Sequence, residues 1–116
     1  MRQTGYRTRL IGKWHLGYAP RFGPLLSGYD EFFGPMSGAV DYFSDTSFDG
    51  TRNLYQGNEP VHGQLGYLTD VLSHRACDFI RRHTDRNSTD ADAERFMLSV
   101  HYTAPHWPWE TRDDEV

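Results

Sequence analysis

Lysine is nearly missing from this chain. Of its twelve basic side chains eleven are arginine, and the one lysine, Lys13, lies between Gly12 and Trp14, two residues before His15. Cysteine is as scarce: Cys77 alone excludes an internal disulfide and any zinc site built from several cysteines, and it leaves the redox compartment open. No apolar run approaches the ~18 residues of a membrane span, and Met1-Arg2-Gln3-Thr4 is not followed by the apolar stretch of a signal peptide. A basic excess is missing too. With 12 Lys and Arg against 16 Asp and Glu the formal net charge is -4, and arginines scattered among acids do not form the stripe that a nucleic-acid partner requires. The 116 residues are enough for one domain and too few for two.

What is present has a readable order. Residues 2 to 17 predict the tail of a helix, a turn at Gly5 and a short buried strand from Thr8 to Ile11, closed by Gly12. From Tyr18 to Gly66, about fifty residues rich in Gly, Pro, Asp and Tyr show no helical period, and runs of that length are usually functional or part of something larger. Two short extended candidates fall inside that run, at Glu31 to Phe33 and Val40 to Phe43. Residues 67 to 83 predict a helix: Leu68, Val71, Leu72, Ala76, Phe79 and Ile80 make one apolar stripe, while Asp70, Arg75, Asp78, Arg81 and Arg82 face away. A polar loop, Thr84 to Arg95, leads to a buried strand candidate, Phe96 to His101, which breaks at Ala104-Pro105-His106-Trp107-Pro108-Trp109.

Strand, loop, helix and strand is the grammar of an α/β sheet, whose ligands gather at the carboxyl ends of the strands. Lys13 with His15, and His106, fall there. Two or three strands and one helix do not cover both faces of a parallel sheet. A mean hydropathy of -0.73 points the same way, and the chain reads as a piece of a larger domain.

If Gly12 to Leu16 stays extended, Lys13 and His15 project from one face and Trp14 from the other. An ammonium suits the oxygens of a tetrahedral anion and an imidazole moves a proton near neutral pH, so the pair suits hydrolysis of a sulfate or phosphate ester. The plainer alternative is a solvated surface lysine and a packed histidine. His106, between Pro105 and Pro108 and flanked by Trp107, is either an imidazole held in one orientation by stiff, aromatic surroundings or a satisfied histidine in a proline-rich turn. His101 and His106 lack a third ligand at zinc spacing. Asn87-Ser88-Thr89 matches the glycosylation sequon, a triplet frequent by chance.

Gly5 to Gly17, "GYRTRLIGKWHLG", resembles the second signature of the sulfatase family, arylsulfatase type. "GYDEFFGPMSGAVDYF" (28–43), "GYLTDVLSHRACDFI" (66–80) and "FMLSVHYTAPHWPW" (96–109) resemble, in the same order, the segments that follow it, so the likeness covers nearly the whole chain. The resemblance implies a fragment of an alkaline-phosphatase-like α/β/α sandwich with a mostly parallel sheet, residues 1–116 being part of the catalytic domain. It implies that Lys13 neutralises the sulfate and holds the nucleophile's aldehyde hydrate. His15 would hydrogen-bond that nucleophile and help to expel sulfate, and His106 would contact the ester near its leaving oxygen. Ser37 falls near a serine that some arylsulfatases place on the sulfate.

The departures from the family are equally definite. Its formylglycine nucleophile arises in a C/S-x-P-x-R motif, which is absent: "CDFIR" at Cys77 has Phe79 where proline belongs, and Cys77 is expected to pack in the core. The aspartates and asparagine that hold calcium or magnesium in the family are not here, Asp113-Asp114 lies in the wrong place to replace them, and a second family lysine is missing. The expectation is therefore an internal slice of a sulfatase, inactive alone, whose complete form acts on an aryl sulfate or a sulfated carbohydrate. The alternatives are a truncated, non-catalytic remnant with at most weak anion binding, and a phosphodiesterase or phosphonate hydrolase of the same superfamily. Family membership alone suggests export, to periplasm, medium or lysosome.

Overall fold

A computed structural model describes residues 4–63, 66–84 and 95–113. The helix tail expected at the amino terminus, most of the polar loop after Thr84 with its sequon, and Asp114 lie outside the described residues.

Three strands run parallel: β1 (Tyr6–Gly12) at the centre, β2 (Glu31–Pro35) on one side and β5 (Arg95–His101) on the other. A short hairpin, β3 (Leu54–Gln56) and β4 (Glu59–Pro60), continues the sheet antiparallel from β2, giving the order β4-β3-β2-β1-β5. Register pairs Leu10 with Phe32 and with Ser99, and Gly12 with His101, which brings the carboxyl ends of β1, β2 and β5 to one edge. The hairpin was not foreseen in the sequence, where its signal is the two-residue Gly57-Asn58 loop; Gly57 takes φ 64°.

The single described α-helix, α1 (Leu68–Thr84), lies on one face. Leu68, Leu72, Ala76 and Phe79 are buried, as the stripe predicts, against Ile11, Phe33, Val40, Tyr42 and Leu54. Ile80 is not: it is exposed, and so is Cys77, one residue round the helix from Ala76, which corrects the expectation of a core cysteine. Arg75 is a second correction. Instead of facing away, its guanidinium lies 3.6 Å from the Phe33 ring centroid and donates to Gln56 Oε1 at 3.0 Å, its stem covering the sheet. Val40 to Phe43 forms no strand; Val40 and Tyr42 are buried by plugging the irregular segment into the core under α1.

The other face is covered by the crossover from β1 to β2, which carries a 3-10 turn at Pro24–Ser27. Leu10, Phe32 and Met36 pack there with Trp14, Ala19, Leu25 and Tyr29. The crossover returns to the sheet at Thr8, whose amide donates to Asp30 Oδ2 at 2.8 Å and whose hydroxyl donates to Gly28 O at 3.0 Å. One irregular crossover thus takes the place of the second helical layer that the sequence could not supply.

The strand ends are closed by glycine. Gly12 has φ 118° and a Cβ there would sit 1.9 Å from His101 O; Gly34 has φ 156° and a Cβ would sit 2.1 Å from Gly12 O. Gly12→Ala should therefore lower unfolding free energy by about 3 kcal/mol or more, strain and overpacking together, whereas Gly50→Ala, at φ 80° but in open space, should cost about 1 kcal/mol. Equal shifts of the two urea midpoints would contradict this account.

Candidate active site

Past Gly12 the chain stays locked to its neighbours. Lys13 N–H donates to His101 O at 2.8 Å, Trp14 N–H to Pro35 O at 2.9 Å and His15 N–H to Met36 O at 3.0 Å, so the segment is zipped alternately to the ends of β5 and β2. The extended backbone expected through Leu16 fails at His15, whose φ is 59°. Strand alternation therefore does not set where Lys13 and His15 point. Trp14 does leave on its own: it packs edge-on to Tyr29 and donates Nε1–H to Phe22 O at 2.8 Å, anchoring the crossover. The His15 ring lies against the backbone of Gly38, where a Cβ would come within 2.6 Å of Nε2. That contact puts His15 beside Ser37.

Ser37 is held by a residue that the sequence did not single out. Asn53, buried just before β3, accepts from Met36 N–H (3.0 Å) and Ser37 N–H (2.7 Å), and donates to Ser37 Oγ (2.7 Å) and Ala39 O (3.0 Å). Both faces of its amide are thus used, and the loop from Met36 to Ala39 is wrapped around it. A buried asparagine ahead of a short strand has no distinctive signature in sequence, so nothing there marks it.

Lys13 is half-buried, and burial lowers its pKa from the usual lysine value. Among the described residues no carboxylate pairs with its ammonium. His101 Nδ1–H donates back to Lys13 O at 3.1 Å, closing a reciprocal pair across the ends of β1 and β5.

His106 stands five residues beyond, exposed, in a turn closed by its own N–H on Thr103 O at 3.0 Å. Its Nδ1 lies 2.6 Å from Trp107 O. A carbonyl accepts only, so Nδ1 carries the proton and Nε2 is left for a ligand. The turn is fixed from below: Tyr42 Oη–H donates to His106 O at 2.9 Å, Tyr42 N–H to Glu110 Oε2 at 2.8 Å, and Tyr67 Oη–H to Glu110 O at 3.1 Å. Burial, then Tyr67 and Glu110, raise the Tyr42 pKa and keep that hydroxyl a donor. Lys13, His15, Ser37 and His106 therefore share the carboxyl edge of the sheet, Lys13 joined to His101 and His15 to the Ser37 loop, with His106 on the strand extension beyond.

Among the described residues no group of three or more His, Cys, Asp or Glu side chains is placed to hold a metal ion, so these residues do not by themselves build a calcium or magnesium site. Cys77, exposed in the middle of α1, is not at this edge.

The mixed five-stranded sheet with its long irregular loops at the parallel strand ends fits the alkaline-phosphatase-like α/β fold, and solved structures agree. The structure described as Ps i-CgsB in complex with k-i-k-neocarrahexaose matches with a TM-score of 0.78 at 28% identity, over 98% of this chain and 27% of that one. The family model described as Sulfatase matches residues 1–115, and the chain belongs to the sulfatase family. It is similar to N-acetylgalactosamine-6-sulfatase of Sus scrofa, 50% identical over 92 residues, which is 71% of this chain and 18% of that protein. Arylsulfatase J of Mus musculus is 40% identical over 115 residues, 93% of this chain and 18% of that protein. The chain thus spans less than a fifth of the length of these curated relatives.

Asn53→Ala should cost about 2 to 4 kcal/mol, because it strips partners from two amides and a carbonyl in one buried loop. Hydrogen exchange should speed up most at Met36 and Ser37; a variant with unchanged protection there would show that the loop does not depend on Asn53.

Proposed function

We propose that the whole protein hydrolyses a sulfate ester, and that these residues form the part of its active site that binds the sulfate group and assists proton transfer to the leaving oxygen. The observation that carries this is Lys13, a half-buried ammonium with no carboxylate partner among the described residues, at the strand-end edge. A desolvated, uncompensated cation is stabilised by an anion, and in low dielectric its effect on charge developing at a transferring group is large.

Each residue then has a role that its local bonds support. Lys13 meets the sulfate oxygens. His15, seated on Gly38, exchanges a proton with the attacking group at the face opposite the leaving oxygen. His106, with Nδ1–H committed to Trp107 O, presents Nε2 to the ester near the leaving oxygen, where it hydrogen-bonds or delivers a proton. The Ser37 hydroxyl accepts from Asn53 at 2.7 Å, and among the described residues its own proton has only the long 3.5 Å contact to Ser47 Oγ to give up in order to donate to an anion.

The nucleophile and metal implied by the family, formylglycine and calcium or magnesium, would supply the attack on sulfur and the polarisation of the ester. Neither has a counterpart among these residues, so the reading assigns them to other segments of a longer protein and expects the 116-residue chain alone to be inactive.

Between an aryl sulfate and a sulfated carbohydrate, the surroundings of His106 favour the carbohydrate. A cavity of about 300 Å³ opens there, with Tyr42, Tyr67, Pro105, Pro108 and the exposed Trp109 along its wall and Glu110 at its rim. Beside it Trp107 packs at a tilt against Phe48, ring centroids 4.7 Å apart. Aromatic faces with a polar rim suit the apolar faces and hydroxyls of a sugar. The likeness to a structure holding a neocarrahexaose agrees.

In the full-length protein, Lys13→Ala should lower kcat/KM for a sulfate ester by well over tenfold, and unchanged kinetics would overturn the assignment. The charge on Lys13 is present below its lowered pKa and lost as pH rises through it. Activity should therefore decline on the alkaline side before an ordinary lysine titrates, and a Lys13→Arg variant that keeps activity should hold it to higher pH. Trp109→Ala should raise KM for a sulfated oligosaccharide several-fold and leave a small aryl sulfate nearly unaffected; equal effects on both would remove the carbohydrate reading.

A further inference from the structure

A cluster of arginines lies at the other end of the sheet. Arg9, Arg75, Arg81 and Arg82, with Asp78, line a cavity of about 530 Å³. It sits between the middle of β1 and the carboxyl half of α1, and Phe79 of that helix half packs edge-on to Phe96 near the start of β5. The cavity is therefore turned away from Lys13 and His106, towards the amino ends of the strands.

Four guanidiniums face one another there with little to neutralise them. Asp78 pairs with Arg81 at 3.2 Å, an exposed contact. Glu31 pairs with Arg9 at 2.9 Å but also with Arg7 at 3.1 Å, so one carboxylate serves two cations. Arg9 is the most constrained: it is 4% exposed, its guanidinium lies 5.2 Å from the Phe79 ring centroid, and its Nε–H has no hydrogen-bond partner among the described residues. Burial lowers the pKa of Arg9, with Glu31 opposing and Arg82 and Arg75 adding to the fall; burial also lowers that of Arg75, and Arg82 again adds. A charge so deeply desolvated, with an unmet donor and repelling neighbours, is costly unless an anion completes it.

We propose that this cavity binds a polyatomic oxyanion, sulfate or a phosphate group, at a site separate from the sulfate-ester edge. Guanidinium forks donate in parallel pairs, the geometry that matches two oxygens of a tetrahedral anion. The exposed Arg81 and Arg82 admit the anion from solvent and Arg9 receives it at the bottom. The proposal does not depend on the catalytic reading, because none of these residues lies at the strand-end edge.

The test is thermal unfolding of the full-length protein carrying Lys13→Ala, so that anion binding at that edge is suppressed. Sodium sulfate and sodium phosphate are each titrated against sodium chloride at equal ionic strength. A saturable rise in Tm of several degrees with either oxyanion, absent in chloride and reduced by at least half in Arg82→Gln and in Arg81→Gln, is expected. Both substituted positions are exposed, so the variants should fold. The proposal is overturned if oxyanion and chloride act alike, if the rise survives both substitutions, or if no rise occurs. In that last case a lower Tm of Arg82→Gln without added anion would assign the cavity to a carboxylate of the protein itself.

Discussion

The arrangement rests on how closely three strand ends approach. At Gly12 and Gly34 there is no room for even one carbon atom beyond the backbone: the carbonyl of His101 fills the space on one side and that of Gly12 the space on the other. With that contact made, the segment after β1 is held alternately by β5 and β2, and Lys13, Trp14 and His15 leave the sheet in fixed directions. A wider spacing would break the reciprocal bonds between Lys13 and His101 and move the Gly38 backbone away from the imidazole it supports. The local conformational freedom of glycine is thus used to fix charged side chains and not to loosen the chain.

Around this edge the molecule spends its polar groups unevenly. The Asn53 amide is fully satisfied, and Tyr42 and Tyr67 both use their hydroxyls to tie down the turn that bears His106. Lys13, by contrast, is half-buried and has no carboxylate partner among the described residues. At Arg9 a desolvated guanidinium, though paired with Glu31, keeps a donor unmet among the described residues. The neutral hydroxyls of Thr69 and Thr103 are also buried without a partner among the described residues, but a missing neutral bond costs less than an undercompensated charge, so Lys13 and Arg9 are the groups that gain most from a negative partner.

Much of this was legible in the chain, for identifiable reasons. α1 carries an apolar stripe at helical period, β1 and β5 carry short apolar runs bounded by breakers, and the solitary lysine directly after Gly12 marks the edge where the strands end. The motif at residues 5–17 led to the sulfatase family, which the family match over residues 1–115 bears out. What was misread had a long-range cause. Val40 and Tyr42 alternate like a strand, yet they are apolar because α1 covers them. Arg75 is charged, yet its guanidinium packs on the Phe33 ring, because a planar, delocalised cation can lie on an aromatic face. Cys77 borders the buried stripe by sequence and misses it by one step of helical rotation. Asn53 could not be seen at all, because its importance comes wholly from the loop that folds round it.

The bonds that hold the candidate site also span most of the chain. His101 joins Lys13 across 88 positions, and the Tyr42 hydroxyl reaches the His106 carbonyl across 64. Contacts of such separation form only after the loop-closure entropy between them has been met, which makes them late events in folding. During synthesis the lysine would emerge long before the histidines that complete its surroundings. The edge therefore acquires its shape only when β5 has docked, so a partly made chain does not yet present the surface proposed to bind the anion.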